Sequence, residues 1–301
     1  MLGIATGARL NDNAQLAHDL DLIRATSTPA VRWYPNWPQI EPVMGSGNYD
    51  FTHTDTIMNG LEKLGIESLL GVSSRGDGHI FDPDHVAAIG PYAAALAARY
   101  DPSGMVLGYE GVNEGSLQKA DTNPTPARYT TCQMSIYTHI KALKPNALVG
   151  TGGIIGAADF LTGLYASGCK DYFDMVCWHP YCRPLSPTAA IAAGHGGWPA
   201  MLDARKVMVA NADAHKQIWV TEFGTNTGGP EACTEVQQAS DLKDAVTRFR
   251  KHAWAGPFFM FTGWDPNPPN PKDKGDWMGL YRSDGSGKPA LAVFESLTAA
   301  A

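Results

Sequence analysis

Two glutamates stand where a pair of carboxyl groups could do chemistry. Glu114 closes the run VLGYEGVNEG and Glu222 closes the run IWVTEFG, each an apolar segment that ends on polar residues. A carboxylic acid that keeps its proton can give it to a departing oxygen. An ionised carboxylate can meet a carbon that is gaining positive charge. Cleavage of a glycosidic bond asks for that division of labour. A glutamate in such a place, taken alone, reads more readily as a solvated or ion-paired surface group, so the elements that would bring the two together decide the matter.

Short apolar runs alternate with longer amphipathic stretches along the whole chain, the rhythm of a parallel sheet with crossover helices. Eight strands are expected, at 2–6, 30–34, 68–72, 106–112, 147–151, 175–178, 218–221 and 258–262. The clearest helices are expected at about 54–64, with Ile57, Leu61 and Leu64 in one stripe, and at 127–143, with Ile136, Ile140 and Leu143 in another. Gly65 and Pro145 punctuate their ends. Eight such units with no break in composition predict a (β/α)8 barrel forming one domain over 1–301. An open doubly wound sheet shares much of this pattern, but it usually carries a phosphate loop. No G-x-G-x-x-G, G-x-x-x-x-G-K or G-x-S-x-G is present. In a barrel, strands four and seven face each other across the ring, which sets Glu114 opposite Glu222 at the catalytic mouth.

The neighbours of the two glutamates are specific. Tyr109-Glu110-Gly111-Val112-Asn113-Glu114 and Trp219-Val220-Thr221-Glu222-Phe223-Gly224 resemble clan A glycoside hydrolases, in which strand four ends in aromatic-Glu-x-x-Asn-Glu and strand seven in Thr-Glu-aromatic-Gly. The resemblance covers nearly the whole chain and is closest to the family 39 and family 5 branch, which includes bacterial endoglycosidases acting on exopolysaccharides. VRWYPNWPQIEPVMGSGNYDF, YFDMVCWHPY and MGLYRSDGSGKPALAVFESL are similar to its second-strand, sixth-strand and closing segments. Gly115, where many relatives carry proline, and Val112, where an aromatic is common, depart from the pattern.

The resemblance implies a cofactor-free retaining hydrolase with Glu114 as acid/base, Glu222 as nucleophile and Asn113 on the sugar 2-hydroxyl. Arg32 is expected to hold Glu222 ionised, because a nearby cation favours the carboxylate; its alternative is an ordinary ion pair at the barrel mouth. Tyr181 is expected to donate to Glu222 and His179 to line the same site. Trp264 is expected to lie under the reacting sugar, since the C–H face of a pyranose packs on an aromatic ring, with Trp37 as a further platform. Trp178, Trp198 and Trp277 are weaker candidates. The segment 264–277, rich in Pro and Asp, reads as a loop over the mouth.

A net charge of -7 argues against a partner held through phosphates, and 44% hydrophobic with 18% charged residues suits a soluble globular chain. The expected partner is a neutral polysaccharide or oligosaccharide, bound by a monomer, with neither nucleic acid nor membrane involved. The N-terminal residues show no signal-peptide pattern, and a secreted protein whose leader lies outside this chain is expected. The five cysteines form no CxxC pair. Cys177, His179 and Cys182 could suggest zinc, but no further ligands cluster with them. Disulfides are the favoured reading, pairing Cys182 with Cys233 and Cys132 with Cys169, with Cys177 left buried.

Overall fold

The computed structural model describes residues 1–72, 81–117 and 125–300. Eight parallel strands close into a barrel in sequence order. They are β1 Leu2–Gly7, β2 Ala30–Trp33, β3 Glu67–Gly71, β4 Val106–Glu110, β5 Val149–Gly150, β6 Met175–Trp178, β7 Gln217–Phe223 and β8 Ala255–Phe261. The helices around them are α1 Leu16–Ala25, α2 Trp37–Ile40, α3 Thr52–Lys63, α4 Pro83–Tyr100, α5 Pro126–Leu143, α6 Asp159–Ala166, α7 Pro187–Ala193, α8 Gly197–Ala210, α9 Glu235–Phe249 and α10 Pro289–Ala299. No described helix is long and apolar enough to cross a membrane.

Alternation along each strand sorts the core into two layers. Val31, Trp33, Leu70, Tyr109, Val176, Trp178, Val220 and Phe258 point outward into the large cluster shared with the helices. Ala5, Ala30, Leu69, Met175, Cys177, Trp219 and Phe259 fill the barrel interior. Bulk there is balanced by glycine: a Cβ on Gly3 would lie 2.7 Å from the Phe259 ring, and one on Gly256 would lie 2.1 Å from that of Trp219. The same alternation turns Arg32 and Glu110 inward, one step above this apolar floor.

Strand β4 is shorter than expected, ending at Glu110 instead of 112. Beyond it, residues 112–117 bend and turn, and Glu114 takes a left-handed backbone with φ of 47°. Strand β5 has only two residues, and the glycines after it let the β4 turn fold close. A Cβ on Gly152 would lie 1.8 Å from the carbonyl oxygen of Val112.

The expected disulfides are absent. None of the five cysteines forms a disulfide, and four of them are buried. Cys177 lies inside the barrel, Cys132 and Cys169 are packed in the helix layer, and Cys182 Sγ donates to the Pro180 carbonyl at 3.1 Å. Burial pushes the Cys132 and Cys182 thiols up to about 12 and that of Cys169 to about 11, as desolvation of a thiolate requires. Pairing in sequence neighbourhood did not translate into paired sulfur atoms: Cys132, Cys169, Cys177 and Cys182 are packed within the apolar core, and Cys233 is half-buried outside it.

Candidate active site

Arg32 is the hub of the barrel mouth. It is fully buried, and its guanidinium donates to Glu110 Oε2 at 2.5 Å, to Glu222 Oε1, to the Tyr34 hydroxyl and, at 2.7 Å, to Asn113 Oδ1. A charge so deep in the protein is tolerable only when paired and hydrogen-bonded, and two carboxylates from β4 and β7 supply that. Glu110, which strand reasoning passed over, is therefore part of the site's frame. Its signal was present in the sequence: an arginine inside the apolar run AVRWY needs a buried acid, and Glu110 is the inward-facing acid of VLGYE.

Glu222 receives a second donor, the Tyr181 hydroxyl, at 2.7 Å on Oε2, and its side chain is 10% exposed. Burial by itself raises the Glu222 carboxyl, but the His179 ring, the Arg32 charge and the hydrogen bonds from Tyr181 and Arg32 outweigh it. The group is held below the ordinary glutamate range. It is thus poised as an anion.

Glu114 sits on the turn after β4, fixed by its N–H to Gly153 O at 2.9 Å and by Leu117 N–H to its carbonyl at 2.8 Å. Its side chain is 27% exposed, the more open of the two carboxyls. The left-handed backbone costs a non-glycine residue on the order of 1–3 kcal/mol, and it is kept because the turn is braced from below. The Tyr129 hydroxyl donates to Val112 O at 3.3 Å and accepts from Gly152 N at 2.6 Å. This bracing also accounts for the glycine at 115, where a Cβ would lie 2.4 Å from the Tyr129 ring.

His179, fully buried, joins the two halves. Its Nδ1 lies 2.8 Å from Glu114 Oε1 and 3.8 Å from Glu222 Oε2, and its Nε2 lies 3.2 Å from Thr221 Oγ1. Thr221 in turn donates to Glu110 Oε1 at 2.8 Å. Hydrogen-bond direction then assigns the tautomer. The Thr221 proton points at Glu110, so Thr221 oxygen accepts from His179 Nε2–H. Nδ1 either accepts a proton from the Glu114 acid or shares one with its carboxylate, and in both cases a proton lies on the His179–Glu114 axis. Gly153 makes this possible, since a Cβ there would lie 2.0 Å from His179 Nε2.

Seven of the eight residues expected at the site lie at strand ends or in the turns that follow them. Arg32, Asn113, Glu114, His179, Tyr181 and Glu222 are brought together. Trp264 follows β8 and is 7% exposed. Trp37 is not at the mouth: it is fully buried, stacked on Tyr92 with ring centroids 4.6 Å apart, and its indole N–H donates to Glu41 at 2.8 Å. The short helix α2 turns it into the outer core. Trp178 and Trp198 are core residues too. Segment 264–277 folds back on the chain after β7, with Thr227 N–H donating to Trp277 O at 3.0 Å and Lys274 paired with Glu231.

Among the described residues, one group of His, Cys and acidic side chains is compact enough to hold an ion: Glu114, His179 and Glu222, with ligand atoms all within 4.8 Å. The Cys177–His179–Cys182 reading fails on geometry, because Cys177 faces the barrel floor and Cys182 faces its own loop.

No family model and no curated protein matches the chain by sequence. Solved structures do match in fold. A family 39 glycoside hydrolase from the gut symbiont Bacteroides cellulosilyticus WH2 superposes with a TM-score of 0.75 at 20% identity, over 99% of this chain and 63% of that one. An exo-β-1,4-mannosidase from Opitutaceae bacterium strain TAV5 gives 0.72 at 18% identity, over 99% and 59%. A GH5_18 enzyme from Streptomyces cattleya in complex with GlcNAc gives 0.76 at 16% identity, over 99% and 79%. The chain thus spans about three-fifths of the length of the first two. These likenesses establish a shared barrel, and the neighbours come from the branch that the strand-end motifs resemble.

Proposed function

We propose that the protein is a retaining glycoside hydrolase acting on β-linked glycans, with Glu114 as acid/base and Glu222 as nucleophile. One observation carries the reading: one carboxylate oxygen of Glu114 and one of Glu222 lie within 4.8 Å of each other. Retaining enzymes hold their two carboxyl groups roughly 5–5.5 Å apart, whereas inverting ones leave about 6.5–9.5 Å for a water. In the first step the Glu222 carboxylate, oriented by Arg32 and Tyr181, attacks the anomeric carbon. The proton on the Glu114–His179 axis goes to the leaving oxygen. In the second step Glu114 takes a proton from water, which displaces Glu222 and regenerates the acid. Asn113, fixed by Arg32, is assigned to the sugar 2-hydroxyl, and Trp264 to the apolar sugar face.

Cleavage within chains is part of the proposal. A cavity of about 680 Å³ opens beyond Tyr181, between the segments that follow β5 and β6, and it supports room for several leaving-group sugars. Secretion is proposed with it, as suits a polymeric substrate. A screen of β-linked polysaccharides with the wild type beside Glu222→Gln tests all of this. Wild-type cleavage to a ladder of oligomers, absent in the variant, is expected. Glycan binding without cleavage by the wild type would instead identify a binding barrel, and chain transfer at high acceptor concentration a transglycosylase. Release of single sugars from chain ends alone would overturn internal cleavage.

A further inference from the structure

A second cavity, about 470 Å³, lies on the flank of the barrel between α1 and the segment that follows β8. Asp19 on α1 lines it and is 3% exposed. Its carboxyl makes no hydrogen bond or ion pair with any described residue, and burial pushes it up to about 6. An acceptor held this deep with no hydrogen bond from the protein favours a ligand that brings a donor; His18 in the same wall and Arg9 act on it only through their charge, and both arginines of the wall are held elsewhere.

Arg9 donates to Trp264 O and, at 3.4 Å, to Gly275 O, and it faces Asp276 at 3.6 Å. Arg282 is tied to both carboxylate oxygens of Glu235, to Ser286 Oγ at 3.0 Å and to Gly287 O at 2.8 Å. Asp265 is saturated by Gly279 N–H and Lys288, each at 2.7 Å. Both arginines of the groove already have acceptors, and of its two buried carboxyls Asp265 has donors while Asp19 has none. A complementary ligand therefore brings donors.

We propose that this groove is a carbohydrate-binding site separate from the carboxylate pair, in which Asp19 accepts hydrogen bonds from the hydroxyl or ammonium groups of a sugar. That the donor belongs to a sugar rests on the glycosidase reading; that the groove takes a donor-bearing ligand does not. Trp264 forms part of the wall, so the site shares one residue with the proposed platform while opening on the α1 side.

The test is titration calorimetry with cellotetraose and with the β-1,4-linked glucosamine tetramer. Glu222→Gln prevents turnover, and the titrations are run with and without Asp19→Ala or Asp19→Asn. At least one tetramer is expected to bind, about tenfold or more weaker after Asp19→Ala, as loss of a charged hydrogen-bond acceptor implies. Binding of both tetramers identifies hydroxyl donors, and binding of the glucosamine tetramer alone identifies the ammonium. Binding of neither, or affinity indifferent to Asp19, would overturn the proposal. The two readings fail separately. Normal cleavage without Asp19-dependent binding removes the groove and leaves the hydrolase, whereas Asp19-dependent binding by a protein that cleaves no glycan does the reverse.

Discussion

Gly153→Ala adds one methyl group beside the His179 ring and removes no polar group. The new Cβ would stand 2.0 Å from His179 Nε2, 2.4 Å from Cε1 and 2.7 Å from Cδ2. Ordinary contact begins near 3.4 Å, so the ring must retreat by about 1.4 Å. The ring's hydrogen bonds to Glu114 and Thr221, at 2.8 and 3.2 Å, do not survive that shift. A displacement of about 1 Å in a catalytic group can cost about a hundredfold in rate, and overpacking a core costs about 1–3 kcal/mol of stability. The variant should therefore fold, melt earlier and lose about a hundredfold in kcat/KM on whichever glycan the wild type cleaves, with the pH–rate profile altered on the acid/base limb. Calorimetric melting and steady-state hydrolysis measure the two effects. A Gly153→Ala protein with wild-type turnover would refute the role given to the His179–Glu114 contact.

Arg32→Met leaves Glu110 and Glu222 buried without their shared cation, and removing one partner of a buried pair typically costs about 3–5 kcal/mol; denaturant unfolding should show a loss of that size. In the same variant the Glu222 carboxyl rises, and the acid limb of the rate profile should move to higher pH. Asp19→Asn should raise the melting temperature at pH 7. Burial lifts the folded-state Asp19 to about 6 from an ordinary 3.8, with His18 and Arg9 opposing the rise and Asp12 adding to it. The fold thus favours the protonated acid, whose contribution is complete below pH 3.8 and lost as pH rises through 6. The gain from asparagine should fade towards pH 4, and a melting difference independent of pH would contradict the assignment.

The frame of the protein was legible because each strand is a short apolar run and each run has one inward register. Helices α3 and α5 lie within two residues of their expected positions, since one apolar stripe and a terminal punctuation mark define each. Strand β8 starts three residues early, at Ala255, because pairing with β7 extends through small residues that carry no apolar signal. The polar frame was half legible. Glu114 and Glu222 stood out by their neighbours, but Glu110 gains meaning only when Arg32 is seen inside the barrel. Thr221 gains its meaning only when its hydroxyl is seen between Glu110 and His179. Gly152 and Gly153 carry no chemistry and are required by contacts across β4, β5 and β6 that no local pattern encodes. Trp37 misled because an aromatic soon after a strand can face the mouth or the outer core, and the single turn of α2 sends it outward from the barrel axis.

The central claim is that Glu222 forms a bond to the sugar while Glu114 serves as acid and then as base. Proton NMR of the first product released from a β-linked substrate, recorded before mutarotation, tests it most directly. The account predicts the β anomer, produced by two successive inversions at one carbon. An α anomer as first product would mean direct attack by water, and the carboxylate separation and the roles assigned to both glutamates would then be wrong.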